Sequence, residues 1–464
     1  MSTKKQKDIF TKTAEAPALV LARTVLATEV VRDKVVTARD NSPVIRRTKD
    51  YWHMLGPGLT TGASDDDPSG IATYSQTGAQ FGYNFLWLSA WTFPLMAVVQ
   101  EMCARIGLVT GRGLAHNIRV FFSRRVLYVC TILLFAANTF NIGANLGAMA
   151  KAVQLLSPQS NFAFLVVGFA VFSLLLQIFT PYIKYAKYLK WLALILLSYI
   201  LSAILANLNW SDIAKHAVVP NITFGQDSIL LLSAILGTTI SPYLFFWQTS
   251  QEVEEQILQG KTTVHMRRSA TAPEEVKKMR IDVWSGMFLS NLVMFFIIAA
   301  CGGILYPNGI TEITSAAQAA EALRPFAGDA TYVLFALGII GTGLLAIPVL
   351  AGSSSYALAE SFGWKEGLYR NLQQAYAFYG VIIISMLVGL GINFIGIDPI
   401  KALIYAAVGN AVVAPVVLLL IVLMSSNRKI MGHWTNSRLT TIIGWIVFLM
   451  MMAASGAAIY SLFL

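Results

Sequence analysis

From residue 51 onward the chain alternates long apolar stretches with short polar ones. Mostly apolar runs of about 20 residues or more recur at 55–78, 81–106, 126–153, 162–181, 187–207, 227–250, 283–305, 330–358, 373–393, 400–425 and 439–463. Each is long enough to cross a hydrocarbon layer as a helix. The pattern predicts an all-α integral membrane protein of about eleven spans, with a transmembrane domain over 51–464 and a polar tail over 1–50. Within the tail, Ala18–Val36 has weak helical periodicity, which suits either a helix lying on the membrane surface or a disordered segment. Longer polar connections fall at Asn207–Asp227, Gln256–Arg280 and Tyr306–Asp329.

Two of the spans are interrupted. The first contains Asp65-Asp66-Asp67-Pro68-Ser69-Gly70, three carboxylates followed at once by two helix breakers. A charged side chain in hydrocarbon costs several kcal/mol, so by default it faces a cavity and marks an ion or substrate path. Pro and Gly at the same place free backbone carbonyls to act as ligands. The sixth span repeats the logic with Gly237-Thr238-Thr239-Ile240-Ser241-Pro242-Tyr243. Breaks at corresponding positions of two halves point to a transporter site at mid-membrane. They imply a five-plus-five repeat, about 51–207 and 227–425, with the span at 439–463 added. An acid-bearing break reads as a cation site, with Asp67, next to the proline, as its leading ligand and Asp65 and Asp66 beside it. Gly56, Gly58 and Gly62 lead into the break and would permit close packing or bending there.

Composition agrees with the span pattern. The chain is 56% hydrophobic and 12% charged, far below the roughly 25% charged residues of a soluble domain. The net charge of +10 does not call for nucleic acid, because its placement explains it. With the N-terminus in the cytoplasm, all of the 34 Lys and Arg except Lys151, Lys215, Arg324 and Lys401 fall on the inner side. That orientation puts the C-terminus outside. The N-terminus is Lys-rich and lacks an apolar core, so it does not read as a cleaved signal peptide. Cys103, Cys130 and Cys301 follow no metal or disulfide spacing and read as small apolar fillers. The five histidines, His53, His116, His216, His265 and His433, fall in loops or at span ends. No nucleophile elbow, phosphate loop or HExxH pattern is present, so neither an enzyme nor a bound cofactor is expected.

These residues resemble the NRAMP family of divalent-metal transporters. The resemblance rests on Gly56-Pro57-Gly58, Asp67-Pro68-Ser69-Gly70, Ala72-Thr73, Gly78-Ala79, Phe81-Gly82-Tyr83, and the stretch from Gln100 through Arg105-Ile106-Gly107-Leu108-Val109-Thr110-Gly111. It runs from about residue 51 to the C-terminus. It implies an inverted-repeat fold of the LeuT type and a metal held between the two breaks. Carried over residue by residue, the family's aspartate is Asp67, its asparagine falls on Gly70 and its methionine on Ser241. The two carbonyl ligands belong to Ser64 and Thr238.

The departures from the family pattern shape the expected chemistry. Ser241 supplies a hard oxygen in place of a soft thioether, and Gly70 supplies no side chain. Such a site is roomier, harder and more dependent on water, which suits Mg²⁺. In this the chain resembles the prokaryotic NRAMP-related branch proposed to carry Mg²⁺. The expected cargo is Mg²⁺ or Mn²⁺ ahead of Fe²⁺. Where the family carries two histidines in span six and acids in span three, this chain has Tyr243, Gln248, Asn138 and Asn141. Weak or absent proton coupling follows, since a proton route needs titratable groups in reach of one another.

Three other readings stay open at this point. One is the ordinary proton-coupled Mn²⁺ or Fe²⁺ transporter. The second is a transporter of organic cations, with Trp87, Trp91 and Trp247 as aromatic partners. The third is a metal sensor that binds without translocating. The partners expected are a divalent metal ion and the lipid of a bacterial inner membrane. A monomer is compatible with this reading.

Overall fold

The structure is a computed structural model that describes residues 43–460 apart from 207, 222–224, 270 and 396–398. Two compact units divide the chain at Leu55. Of the first, a helix over Pro43–Met54 is described, and the periodic stretch Ala18–Val36 lies outside the described residues. The second unit, from Gly56 onward, holds all the spans.

All regular structure among the described residues is helical. Span one is two half-helices, Pro57–Asp65 and Pro68–Phe81, and span two is Trp87–Thr110. Span three is the long helix Arg124–Leu156, and span four is Phe162–Phe179. Span five runs from Tyr182 to Leu205 through a tighter turn at Ala193–Leu196. Span six is again two pieces, Gln226–Thr239 and Pro242–Leu258. Pro273–Ile304, Ala316–Phe362, Tyr376–Ile392, Pro399–Ser425 and Arg438–Tyr460 complete the series as spans seven to eleven. Eight helices among the described residues are long and apolar enough to cross a membrane unaided. The halves of span one, and spans nine and ten, supply the rest of the predicted set.

The ends of the elements differ from those read from hydropathy, for local reasons. Span one continues to Phe81, where Gly82 leaves the helix at φ 59°. Span two therefore starts later than expected. Spans six and seven extend beyond the apolar runs, and the acids at those ends are buried against partners: Glu252 against Gln248, Glu254 against Tyr356 and the N–H groups of Leu368 and Tyr369, and Asp282 against Gly56, Gly58 and Leu59. The expected loops are partly helical too, with Trp210–Val218 in one and the start of the span-eight helix in another. Gly328, at φ 84° and ψ 172°, marks the kink between that start and span eight proper.

Span three packs against spans eight, nine and ten. Both halves of span one pack against span seven, and span two packs against spans six and seven. The close approach of spans one and seven depends on glycine. A Cβ on Gly58 would come within 2.5 to 2.7 Å of backbone atoms of Asp282 and Val283, and Gly62 meets the backbone of Gly286. Gly56 has ordinary room, so its expected packing role is not needed. Span four turns Phe164, Phe172, Leu175 and Phe179 outward, an apolar surface suited to lipid chains. All three cysteines are free and buried.

Candidate functional site

Pro68 opens the second half-helix of span one at its first position. A proline there gives no N–H to the carbonyl four residues back and sterically excludes it from the ladder. That carbonyl belongs to Ser64. Pro242 does the same to the carbonyl of Thr238 in span six. Two spans thus each present a released carbonyl at mid-length.

The two breaks meet. The phenol of Tyr243 donates to the Ser64 carbonyl at 3.0 Å. The Ser241 hydroxyl turns back and donates to the carbonyls of Thr238 and Gly237, at 2.8 and 3.0 Å. The Thr238 hydroxyl donates to its own helix at Ile235. Ser353 of span eight donates to the Tyr243 carbonyl at 2.7 Å, fixing the start of the second half of span six.

The three aspartates are all buried, yet they stand in different environments. Asp67 is the N-cap of the second half-helix. Its Oδ1 accepts from the backbone N–H groups of Ser69 and Gly70, at 3.1 and 2.9 Å, and from the Ser69 hydroxyl at 2.6 Å. Its Oδ2 accepts from the amides of Asn141 and Asn145 in span three, at 3.1 and 3.0 Å. The helix N-terminus adds a favourable partial charge. This is a carboxylate whose acceptor capacity is fully committed.

Asp66 is its opposite. Both of its oxygens are buried, and among the described residues neither makes a hydrogen bond within ordinary distance, although the Ser290 hydroxyl that donates to Asp65 lies beside it. Asp65 is intermediate, with Oδ2 accepting from Ser290 of span seven at 3.3 Å and Oδ1 receiving nothing. Neither lies at an open aqueous mouth, since Asp65 is 1% and Asp66 0% exposed. Buried carboxylates without donors are costly in the folded state unless a cation or a proton compensates them. Gly70 contributes only its N–H to Asp67, and a Cβ there would meet Asp65 O at 3.3 Å. Among the described residues no group of three His, Cys, Asp or Glu side chains is arranged to hold a metal ion by itself.

Of the residues singled out from sequence, Ser64, Asp65, Asp66, Asp67, Gly70, Thr238, Ser241 and Tyr243 thus gather at the two breaks. Asn138 turns to Leu350 O and the Ser354 hydroxyl of span eight, while Asn141 reaches Asp67. Gln248 donates to Glu252 one turn further on. Sequence reading missed Asn145, Ser290 and Asp282. Asn145 was within reach, because 138, 141 and 145 share one face of a helix. The histidines lie outside the spans, as expected.

Away from the breaks, a cavity of about 170 Å³ opens between the ends of spans two, six and eight. Arg112, Arg267, Glu254, Glu360 and Glu366 line it, and its buried acids are paired. Glu360 accepts from the His116 N–H and Ser250, and Glu254 from Tyr356 and the N–H groups of Leu368 and Tyr369.

Residues 58–461 match the family described as natural resistance-associated macrophage protein-like, or Nramp. The chain belongs to the Nramp family. A "divalent metal cation transporter MntH" of Caldanaerobacter subterraneus subsp. tengcongensis is 25% identical over 419 residues, covering 89% of this chain and 94% of the relative. Another of that name, from Deinococcus radiodurans, is 25% identical over 412 residues, covering 88% and 90%. Among solved structures, the Eremococcus coleocola manganese transporter, crystallised with an aromatic bis-isothiourea substituted compound, superposes with a TM-score of 0.68 at 20% identity. That superposition covers 88% of this Nramp chain and 86% of the other. Mhp1, a nucleobase-cation-symport-1 family transporter, superposes with a TM-score of 0.56 at 14% identity, covering 87% and 90%. The fold is therefore that of the NRAMP and LeuT-type transporters, an integral membrane fold and not an enzyme family.

Proposed function

We propose that this chain carries divalent metal cations across the membrane by alternating access, with Mg²⁺ and Mn²⁺ as cargo. The observation that carries the reading is the contrast between the three adjacent aspartates. Asp67 is held by five donors, whereas Asp66 and one oxygen of Asp65 are buried without a hydrogen bond among the described residues. A divalent ion entering between the breaks meets the charge of Asp66 and Asp65 first. The released carbonyls of Ser64 and Thr238 are at hand once Tyr243 and Ser241 let go of them. Asp67 joins when Asn141 and Asn145 release its Oδ2. Gly70 adds no side chain, Ser241 offers its hydroxyl oxygen to the ion, and the Tyr243 phenol, once off the Ser64 carbonyl, bonds the ion's water.

All of these donors are oxygens. Hard oxygen ligands, few in number, leave a bound ion to keep several of its own waters, which suits Mg²⁺, and they accept Mn²⁺. Fe²⁺ gains less here than at a site with a thioether. An inside-negative potential of 100 mV favours entry of a divalent ion by about 4.6 kcal/mol, so uptake can proceed without a coupling ion. Non-titrating Asn138, Asn141 and Gln248 along spans three and six support weak or absent proton coupling. The topology adopted is N-terminus in the cytoplasm and C-terminus outside, in the plasma membrane of a bacterium. The two repeats are about 51–207 and 227–425.

A second reading, a proton-coupled Mn²⁺ or Fe²⁺ transporter of the ordinary family type, is favoured by the likeness to the Eremococcus coleocola manganese transporter. Its proton route would draw on buried acids such as Glu252, to which Gln248 donates at 2.9 Å. Uptake of Mg²⁺, Mn²⁺ and Ca²⁺ into proteoliposomes under an inside-negative potential tests the proposal. Entry of Mg²⁺ and Mn²⁺ is expected. A chain that admits neither is not a divalent-metal transporter.

A further inference from the structure

The first half-helix of span one, Pro57–Asp65, has nine residues and no cap of its own. Its N-cap position is Gly56, which has no side chain to accept from the exposed N–H groups. So short a helix is marginal by itself. Its caps come from another span. Asp282 of span seven accepts from Gly56 N and Leu59 N through Oδ1, at 2.7 and 3.0 Å, and from Gly58 N through Oδ2 at 2.7 Å. Asp282 is 3% exposed, and every residue of the half-helix from Gly58 to Asp65 is buried. Beside this contact, Gly58 and Gly62 bring the half-helix onto the backbone of span seven.

We propose that Asp282 is the latch that holds the first half of span one shut against span seven, and that cargo leaves on this side only after its three bonds to Gly56, Gly58 and Leu59 break. The inference rests on the alternating-access reading, in which one half of span one must move while the rest stays. Asp282 is a positioning residue. It touches the backbone of the moving element and not the cargo site, where Asp65–Asp67 lie at the other end of the same half-helix.

The charged neighbours make the latch reversible. Lys190 of span five, and Glu252 and Glu255 of span six with Lys278 of span seven, share the electrostatic surroundings of Asp282. Lys190 lies within electrostatic reach of Asp282. The closed state is favoured by three charge-assisted bonds and by the helix N-terminus, and Lys190 would offset part of the charge left bare when those bonds break.

Site-directed labelling in lipid nanodiscs, without metal, tests the latch independently of transport. Thr61→Cys places a reporter on the buried half-helix, and Thr77→Cys places one on the second half, where the chain is also buried. The parent, with its three buried cysteines, is the blank. In the Asp282→Ala background, the Thr61→Cys reporter should react with a hydrophilic maleimide about tenfold faster, as loss of a charged cap implies, with the Thr77→Cys reporter unchanged. Asp282→Asn keeps the shape and one acceptor and should give a smaller rise of about threefold, so the test survives if the alanine variant does not fold. Equal Thr61→Cys rates with and without Asp282→Asn would overturn the latch. So would equal acceleration of both reporters, which would mark general loosening. A chain that fails to move metal in vesicles would overturn the alternating-access reading, and the labelling rates would still decide whether Asp282 holds the half-helix in place.

Discussion

Tyr243 and Ser64 join the two interrupted spans: the phenol of one donates to the carbonyl of the other at 3.0 Å. The carbonyl is free to accept because Pro68 removed its helical partner. An ion that uses this carbonyl competes with the phenol. Tyr243→Phe removes the competitor and one buried bond. Its apparent KM for Mn²⁺ should fall by about two- to tenfold, while the thermal midpoint without metal falls by a few degrees. A raised KM would instead make the Tyr243 hydroxyl a ligand.

Asp66 contributes nothing to holding the fold that a neutral side chain could not. Asp66→Asn should raise the thermal midpoint of the metal-free protein, because it removes a buried charge without donors. Asp67→Ala should do the reverse and lose about 2 kcal/mol or more, since it strips a cap and leaves Asn141 and Asn145 facing a gap. Thermal melts of the two variants side by side check this. Equal destabilisation would contradict the contrast between the two carboxylates.

Gly58 cannot take a side chain cheaply, because the atoms a Cβ would strike belong to the backbone of span seven. Gly58→Ala should cost about 1–3 kcal/mol or force the half-helix away from its seat. Gly168→Ala in span four, where nothing lies within 4 Å, should be neutral or slightly stabilising. Denaturation of both variants gives the comparison.

His116 lies on a short helix between spans two and three, half-buried, beside Arg112 and Arg119, and its backbone N–H donates to Glu360. Burial first, and the two arginines next, push its imidazole down to about 4 from 6.5. Across that window the unfolded chain binds the extra proton, so this group's effect is a loss of stability as pH falls from about 6.5 to about 4. His116→Gln should therefore show a smaller drop in thermal midpoint between about pH 7.5 and about pH 5 than the parent. An identical drop would exclude His116 as a source of acid sensitivity.

Much of the architecture was legible because its causes are local. Apolar length marks a span, and a proline beside acids marks a break, so Asp67, Pro68, Ser241 and Pro242 could be placed without coordinates. The direction each aspartate faces could not be read. It depends on the backbone of two residues at the break, where Asp66 adopts φ −83° and ψ 52° and Asp67 turns to cap the next helix. Asn145 was legible in principle from its helical spacing. Asp282 was not, because its partner Gly56 lies 226 positions away and nothing in either stretch announces the other.

Metal flux into proteoliposomes, measured together with proton movement, is the most direct test of whether the aspartate break carries divalent ions. Mg²⁺ and Mn²⁺ should both enter the parent without accompanying protons, and Asp66→Asn and Asp67→Ala should each reduce entry by tenfold or about that. Mn²⁺ entering with protons while Mg²⁺ stays out, or either variant transporting at the parental rate, would contradict it.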